Sequence, residues 1–307
     1  LVCGAKGNLF QLVEKVAGVP FRVAVSKVAE WSGEAPPLPE EPANIAPKEE
    51  PMNLSSLLSA AFAHMREAFA ESEAARRYFA EARGLGAFLE PGRDIEAGFC
   101  SADFAKRLDA KTRDGLLRAG LLQAGGAPRF SGCLVYPLRD LEGKIVSLYG
   151  RSILAKNGSS RHYYLPGERR GVFGLRVDQG ERAYLVESVI DALSLHAVGV
   201  PSVLALHGVN GFTADHLSWL KHHGVREILL CLDGDAAGRE ASARLHQRLK
   251  EEGFAAHVVD LPDREDPNSF FLTAMPQRTL KDLESLPGFP KPAAPAPSAA
   301  TLTLLQP

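Results

Sequence analysis

Long apolar runs are missing from this chain of 307 residues, so neither a membrane span nor a signal peptide can be read from it. Cysteine is scarce. The four present, Cys3, Cys100, Cys133 and Cys231, are scattered and make no disulfide framework. Cys231 lies in an apolar run and reads as a small core residue, and a reducing cytoplasm is the compartment that fits. An excess of one charge is also missing. Lys and Arg number 35 against 37 Asp and Glu, and a net charge of −2 carries no global signal for a polyanionic partner. That balance excludes bulk electrostatic capture but not a local basic groove. The length suffices for a sizeable core and for two or three domains.

Two acidic clusters stand out. In AYLVESVIDALSLH, Glu187 follows the apolar run Ala183 to Val186. In EILLCLDGDAAGRE, Asp233 and Asp235 follow the run Ile228 to Leu232. Short apolar runs of this kind suit buried parallel strands, and each acid then sits at a carboxyl strand end, where open α/β sheets place their sites. Either acid alone could be a helix N-cap or a favourable charge at a helix start. Gathered together they need a cation, and a set of hard oxygen ligands suits Mg²⁺ or Mn²⁺. Gly234 and Gly238 let backbone approach closely there.

Elsewhere the chain divides by composition. Residues 1–33 carry apolar residues at helical spacing (Leu9, Leu12, Val13, Val16, then Phe21, Val25, Val28), and 34–53 are rich in Pro, Glu and Ala, as an extended linker would be. Leu54 to Arg83 reads as one helix with the apolar stripe Leu57, Leu58, Ala61, Phe62, Met65 and Phe69. CLVYPL and KIVSLYGRSIL, joined by RDLEGK, read as a β-hairpin. From Arg139 to Arg182, nine basic residues face five acidic ones and interleave with Tyr149, Tyr163 and Tyr164, a pattern suited to phosphate contact and base stacking. A solvated hairpin with ordinary surface charge is the plainer reading of that segment. His216, His222 and His223 fall in or near an amphipathic helix and read as surface residues. The Pro/Ala-rich end, 286–307, reads as a disordered tail.

The acidic clusters resemble the TOPRIM domain, shared by bacterial DnaG-type primases, topoisomerases and some nucleases. Glu187 and Asp191 match its first motif, with Ser188 in place of the usual Gly. Asp233 and Asp235 match its Asp-x-Asp, followed by the Ala237-Gly238-Arg239 common in primases. LPDREDPNSFF resembles the third acidic motif at Asp263 and Asp266, with Asn268 where a second Asp is usual. Upstream, Arg83-Gly84 and Gly98-Phe99 resemble the opening of the primase core. Arg151 falls on a Gly-Arg position, Arg161 or His162 lies near a Lys position, and Arg169 or Arg170 near a later basic one, while Gly132 and Cys133 stand where an Arg is usual. Cys3 resembles the last ligand of a primase zinc ribbon whose other ligands would precede Leu1.

That resemblance implies a mixed α+β and α/β fold: a basic N-terminal subdomain of the core over 54–180, and a Rossmann-like, mostly parallel TOPRIM subdomain over 181–285, after a zinc-ribbon remnant over 1–33. It implies a nucleotidyltransferase, a DNA-directed RNA polymerase making short primers on single-stranded DNA from nucleoside triphosphates. Glu187, Asp233 and Asp235 would be catalytic and, with Asp266, would hold Mg²⁺ or Mn²⁺. Arg151, Arg161, Arg169, Arg170 and Arg239 would contact nucleotide and template. Zn²⁺ is implied only alongside the further ligands that Cys3 needs. A replicative helicase is the further partner, although no helicase-docking domain is seen, which points to a mobile-element version; no membrane partner is implied. The alternatives are a non-catalytic single-strand-binding protein derived from a primase, and a TOPRIM nuclease.

Overall fold

The computed structural model of the chain describes residues 9–19, 21–32, 53–92, 95–154, 161–176, 180–274 and 276–290. Cys3, the 34–53 linker but for Asn53, and most of the 286–307 tail lie outside them. The chain falls into two units, Leu1–Glu50 and Pro51–Pro307. In the first, α1 (Leu9–Ala17) and α2 (Phe21–Ser32) bury Val13 and Ala24, while Leu12, Val16 and Trp31 are exposed.

The second unit opens with α3 (Leu54–Glu71), capped by the Asn53 side chain on the Ser56 amide. The single helix expected from Leu54 to Arg83 is in fact broken. Ser72 is extended and its hydroxyl caps a new helix, α4 (Glu73–Arg77), by accepting the Ala75 N–H. This is the competition that serine offers a helix backbone. A π-turn over Tyr78–Ala82 follows, and it brings Tyr78 under the Arg83 guanidinium, which donates twice to the Tyr78 hydroxyl. The helices cover an antiparallel sheet of order β1-β2-β3-β4, built from β1 (Gly98–Cys100), β2 (Cys133–Arg139), β3 (Ile145–Ser152) and β4 (His162–Tyr164), with α5 (Ala110–Arg118) inserted after β1. The expected hairpin is the β2–β3 pair.

The chain then enters a second sheet of order β5-β7-β6-β8-β9, formed by β5 (Phe173–Arg176), β6 (Arg182–Val186), β7 (Ser202–Ala205), β8 (Glu227–Leu230) and β9 (Ala255–Val258). All its pairings are parallel except β5–β7. The β6-to-β8 residues are apolar on both faces, as a sheet covered on both sides requires. Helices α6 (Val189–Ala197), α7 (Ala214–His222) and α8 (Ala236–Glu251) connect successive strands, and α9 (Pro267–Leu272) and α10 (Leu280–Glu284) close the unit. Because β6 leads to β7 on one side and pairs with β8 on the other, the order reverses between β6 and β8. Ligands of open α/β sheets bind at the carboxyl ends flanking such a reversal.

The two sheets share one core. Arg139 and Val172 exchange both backbone hydrogen bonds, so β2 runs into the strand leading to β5, and Tyr136 and Tyr149 pack in one apolar cluster with Phe173, Tyr184 and Val186. Polar contacts add to this junction. Asn268, 4% exposed, donates from Nδ2 to the Arg83 carbonyl and the Ser194 hydroxyl and accepts from the Arg83 guanidinium. His216 is fully buried, not on the surface: Nε2–H donates to the Ala205 carbonyl, and Nδ1 accepts the Thr213 amide in a capping box at the start of α7. Helical periodicity gives a residue its face but does not show that a cap will pull a first-turn side chain inward.

Replacing Asn268 with Leu keeps the volume but strands the Arg83 carbonyl and leaves the Ser194 hydroxyl only its bond to the Ile190 carbonyl. Urea denaturation should show a loss of about 2 kcal/mol, the usual cost of leaving buried polar groups without partners.

Candidate active site

Glu187 immediately follows β6, and Asp233 lies three residues beyond β8, across the sheet reversal. The strand expected through Leu232 ends at Leu230, although the Cys231 amide still bonds to the Leu185 carbonyl. The two acid-bearing loops are joined directly, since Oε1 of Glu187 accepts the Asp233 N–H at 3.2 Å. Glycines allow the closeness. A Cβ on Gly238 would lie 2.1 Å from the Asp233 carbonyl oxygen and 3.0 Å from Oε1 of Glu187, and one on Gly234 would lie 2.1 Å from the Pro262 carbonyl oxygen. Those contacts tie the Asp-x-Asp loop to the 261–266 loop, as do the bonds from the Gly234 amide to the Glu265 carbonyl and from the Arg264 amide to the Gly234 carbonyl. Arg264 has a φ of 61°, the one non-glycine positive φ among the described residues. Backbone strain of this sort gathers at functional loops.

Asp235 and Asp266 have a second task. Asp235 caps α8 by accepting the Gly238 amide, and Asp266 caps α9 by accepting the Ser269 amide. The cap reading of Asp235 is therefore met, with one oxygen on the cap. Asp191, on the first turn of α6, is 4% exposed and accepts from the Ser188 hydroxyl and the Asn268 amide. Ser188, at the position where Gly is usual, is the N-cap of α6.

The electrostatics record the crowding. Burial, then the charges of Asp191, Glu187, Asp266 and Asp235, push the Asp233 pKa up to about 8. Burial also raises Glu187, against the pull of the Asp233 N–H, and raises Asp191, with Asp266 adding to it. Oδ1 of Asp233 is buried without a hydrogen-bond partner. An orphaned, partly desolvated carboxylate among like charges is short of a cation. Among the described residues, however, no three His, Cys, Asp or Glu side chains converge as a closed cage would require. The reason is the capping by Asp235 and Asp266. An open set of this kind fits a hard divalent ion that keeps its waters and takes one or two carboxylates plus substrate phosphates.

The basic residues divide. Arg151, on β3, is half buried and lies close enough to Asp191 to feel its charge. Arg169 stacks on the Tyr164 ring, 3.9 Å from the centroid, and Tyr164 meets His207 edge-on. Arg161 and Arg170 are exposed, away from the acids' hydrogen bonds. Arg239 is turned onto the Gly234 carbonyl, Asp260 and Asp263, which makes it a brace between the two loops in this structure. Sequence reasoning named neither Tyr78 nor the junction role of Arg83 and Asn268; their signal was the Arg-Gly motif and the Asp-to-Asn departure.

Residues 184–271 match the Toprim-like family. The DNA primase of Myxococcus xanthus is 38% identical over 150 residues, covering 46% of this chain and 25% of that protein. The DNA primase of Halalkalibacterium halodurans is 26% identical over 305 residues, covering 92% of this chain and 49% of the relative. The chain thus spans about half or less of the length of these relatives. Among solved structures, the zinc-binding and RNA polymerase domains of Aquifex aeolicus primase superpose with a TM-score of 0.62 at 22% identity, over 92% of this chain and 71% of that one. A DNA primase domain from Pseudomonas aeruginosa gives 0.57 at 27% identity, over 72% and 75%. The fold is that of primase catalytic cores, and its second half is Toprim-like. More particularly, the chain is a relative of bacterial DnaG-type primases.

An acid whose pKa stands above its unfolded value withdraws stability as pH rises between the two, because the folded state holds the extra proton. For Asp233 that window runs from the ordinary carboxylate range to about 8. The melting temperature of the metal-free protein should therefore fall across this window. Asp233→Asn should flatten the fall, and Mg²⁺ at pH about 8 should raise the parent's melting temperature more than the variant's, as calorimetry can measure.

Proposed function

We propose that the chain is a primase-type nucleotidyltransferase core that joins ribonucleoside triphosphates into short RNA primers on single-stranded DNA. One observation carries the reading: desolvated acids gather at the β6–β8 reversal, and Arg151 of the antiparallel sheet lies close enough to feel the charge of Asp191. That arrangement suits a substrate with phosphates at one end and a strand to be tracked at the other.

Glu187, Asp233, Asp235 and Asp266 would hold divalent ions, Mg²⁺ or Mn²⁺, at the switch point. Such ions lower the pKa of an attacking hydroxyl and neutralise charge on transferring phosphates. The protein's own part is positioning. The Glu187 bond to the Asp233 amide fixes the spacing of the two loops. The N-termini of α8 and α9 lie beside the acids, and their dipoles offset part of the negative charge. Arg151 offers a cation for a nucleotide or template phosphate, and the Tyr164–Arg169 stack offers a flat cationic face to an unpaired base. A solved DnaG catalytic domain bound to single-stranded DNA is 22% identical to this chain, and single-stranded DNA is the partner proposed here.

Cys100, Cys133 and Cys231 are buried free thiols, in keeping with a reducing cytoplasm. Among the described residues no helix is long and apolar enough to cross a membrane. A helicase partner follows from the resemblance alone.

Labelled ribonucleotides, a single-stranded template and Mg²⁺ or Mn²⁺ should yield short primers. Asp233→Asn should lower the rate about a thousandfold, the order expected when charge stabilisation worth several kcal/mol is lost. Its affinity for the single strand should stay at the parent's value. A binding protein would give no product from either chain, and a nuclease would shorten the template instead.

A further inference from the structure

Several arginines of this unit have given their charge to a carboxylate. Arg139 pairs with Glu96, Arg182 with Glu227, Arg278 with Glu265, and Arg239 with Asp260 and Asp263. Arg151 is held differently. Its NH1 lies 2.9 Å from Nε2 of His162, its partner across the β3–β4 ladder, the Tyr149 and Tyr78 hydroxyls lie close by, and its buried Nε has no hydrogen-bond partner. The groups beside it are uncharged.

The imidazole's state follows from donor logic. A guanidinium has only donors, so Nε2 must carry a lone pair. A neutral ring then has its proton on Nδ1, which lies 2.8 Å from the Tyr149 oxygen and donates to it. Burial, then the guanidiniums of Arg151, Arg161 and Arg83, lower the His162 pKa to about 4, which keeps this form in place at neutral pH. A carboxylate at residue 162 would orient Arg151 equally well but would neutralise it. An imidazole fixes the direction of the cation and leaves its full charge for a phosphate.

We propose that His162 is a positioning residue for Arg151, clamping the guanidinium against the acidic crevice through Nε2 while its Nδ1–H is anchored on the Tyr149 hydroxyl. This rests on the reading in which Arg151 meets a phosphate of nucleotide or template.

Two measurements on the whole chain test it, neither needing turnover. Long-range ¹H–¹⁵N spectra should show His162 as the Nδ1–H tautomer, and Arg151→Gln should change its ring nitrogen shifts. Binding of a fluorescein-labelled single-stranded oligonucleotide is then compared across variants that melt cooperatively. His162→Gln, which keeps an acceptor, should stay within about twofold of the parent, and His162→Phe should bind about tenfold more weakly, the loss of one charge-assisted contact. His162→Asp should also weaken binding and should reduce the salt slope by about 0.7, the share of one single-strand phosphate. An Nε2–H tautomer, shifts indifferent to Arg151→Gln, or Phe and Asp variants that bind like the parent would overturn the clamp. A parent with no affinity for the single strand would instead sink the functional reading, and the tautomer result would still decide the His162–Arg151 contact.

Discussion

Holding Asp233 beside Glu187 and Asp191 at the end of a buried parallel sheet costs free energy, because like charges are gathered where water is thin. Much of the surrounding architecture answers that cost. Two helix N-termini point at the cluster, Ser188 and the Asn268 amide donate to Asp191, and Glu187 takes the Asp233 amide. Glycines at 234 and 238 permit the loops to come this close, since any Cβ there would strike a carbonyl. The protein compensates the repulsion only in part. The raised pKa of Asp233 and its unpartnered Oδ1 measure what is left, and a divalent cation is the species that would remove it.

The basic sheet matters because of what it does to that residue of charge. Tyr136 and Tyr149 of its hairpin sit in one apolar cluster with the strands that bear the acids, so the two sheets form a continuous body. Arg151 belongs to this body and pairs with no carboxylate, whereas Arg139, Arg182, Arg239 and Arg278 are closed into ion pairs. In the reading proposed above, a phosphorylated substrate that bridges Arg151 and the acids would satisfy charges of both signs.

Much of this was legible in the sequence because the strand–acid–helix pattern is local. Glu187, Asp233 and Asp235 each follow an apolar run, and the reversal of strand order then brings runs separated by more than forty residues side by side. The β2–β3 hairpin was readable for the same reason: two strand-like apolar runs on either side of a glycine-containing turn. What could not be read depends on contacts made at a distance or on one side chain competing with backbone. Ser72 breaks a helix whose apolar stripe continues through it. His216 is drawn into the core by the Thr213 cap and the Ala205 carbonyl, neither visible in a helical wheel. Arg239 sits on the helix that follows the Asp-x-Asp, yet the sequence does not show that Asp260 and Asp263 wait on the neighbouring loop.

Asn268 occupies a position where a carboxylate would have joined the acid cluster, and it fastens the Arg83 turn to α6 instead. A carboxamide neither gains nor loses a proton in water near neutrality, and as both donor and acceptor it needs no counterion. The side-chain bonds of the seam between the basic and acidic halves therefore involve no group of Asn268 that titrates, while its backbone N–H, held by Asp191, ties the same seam to the charge of the acid cluster.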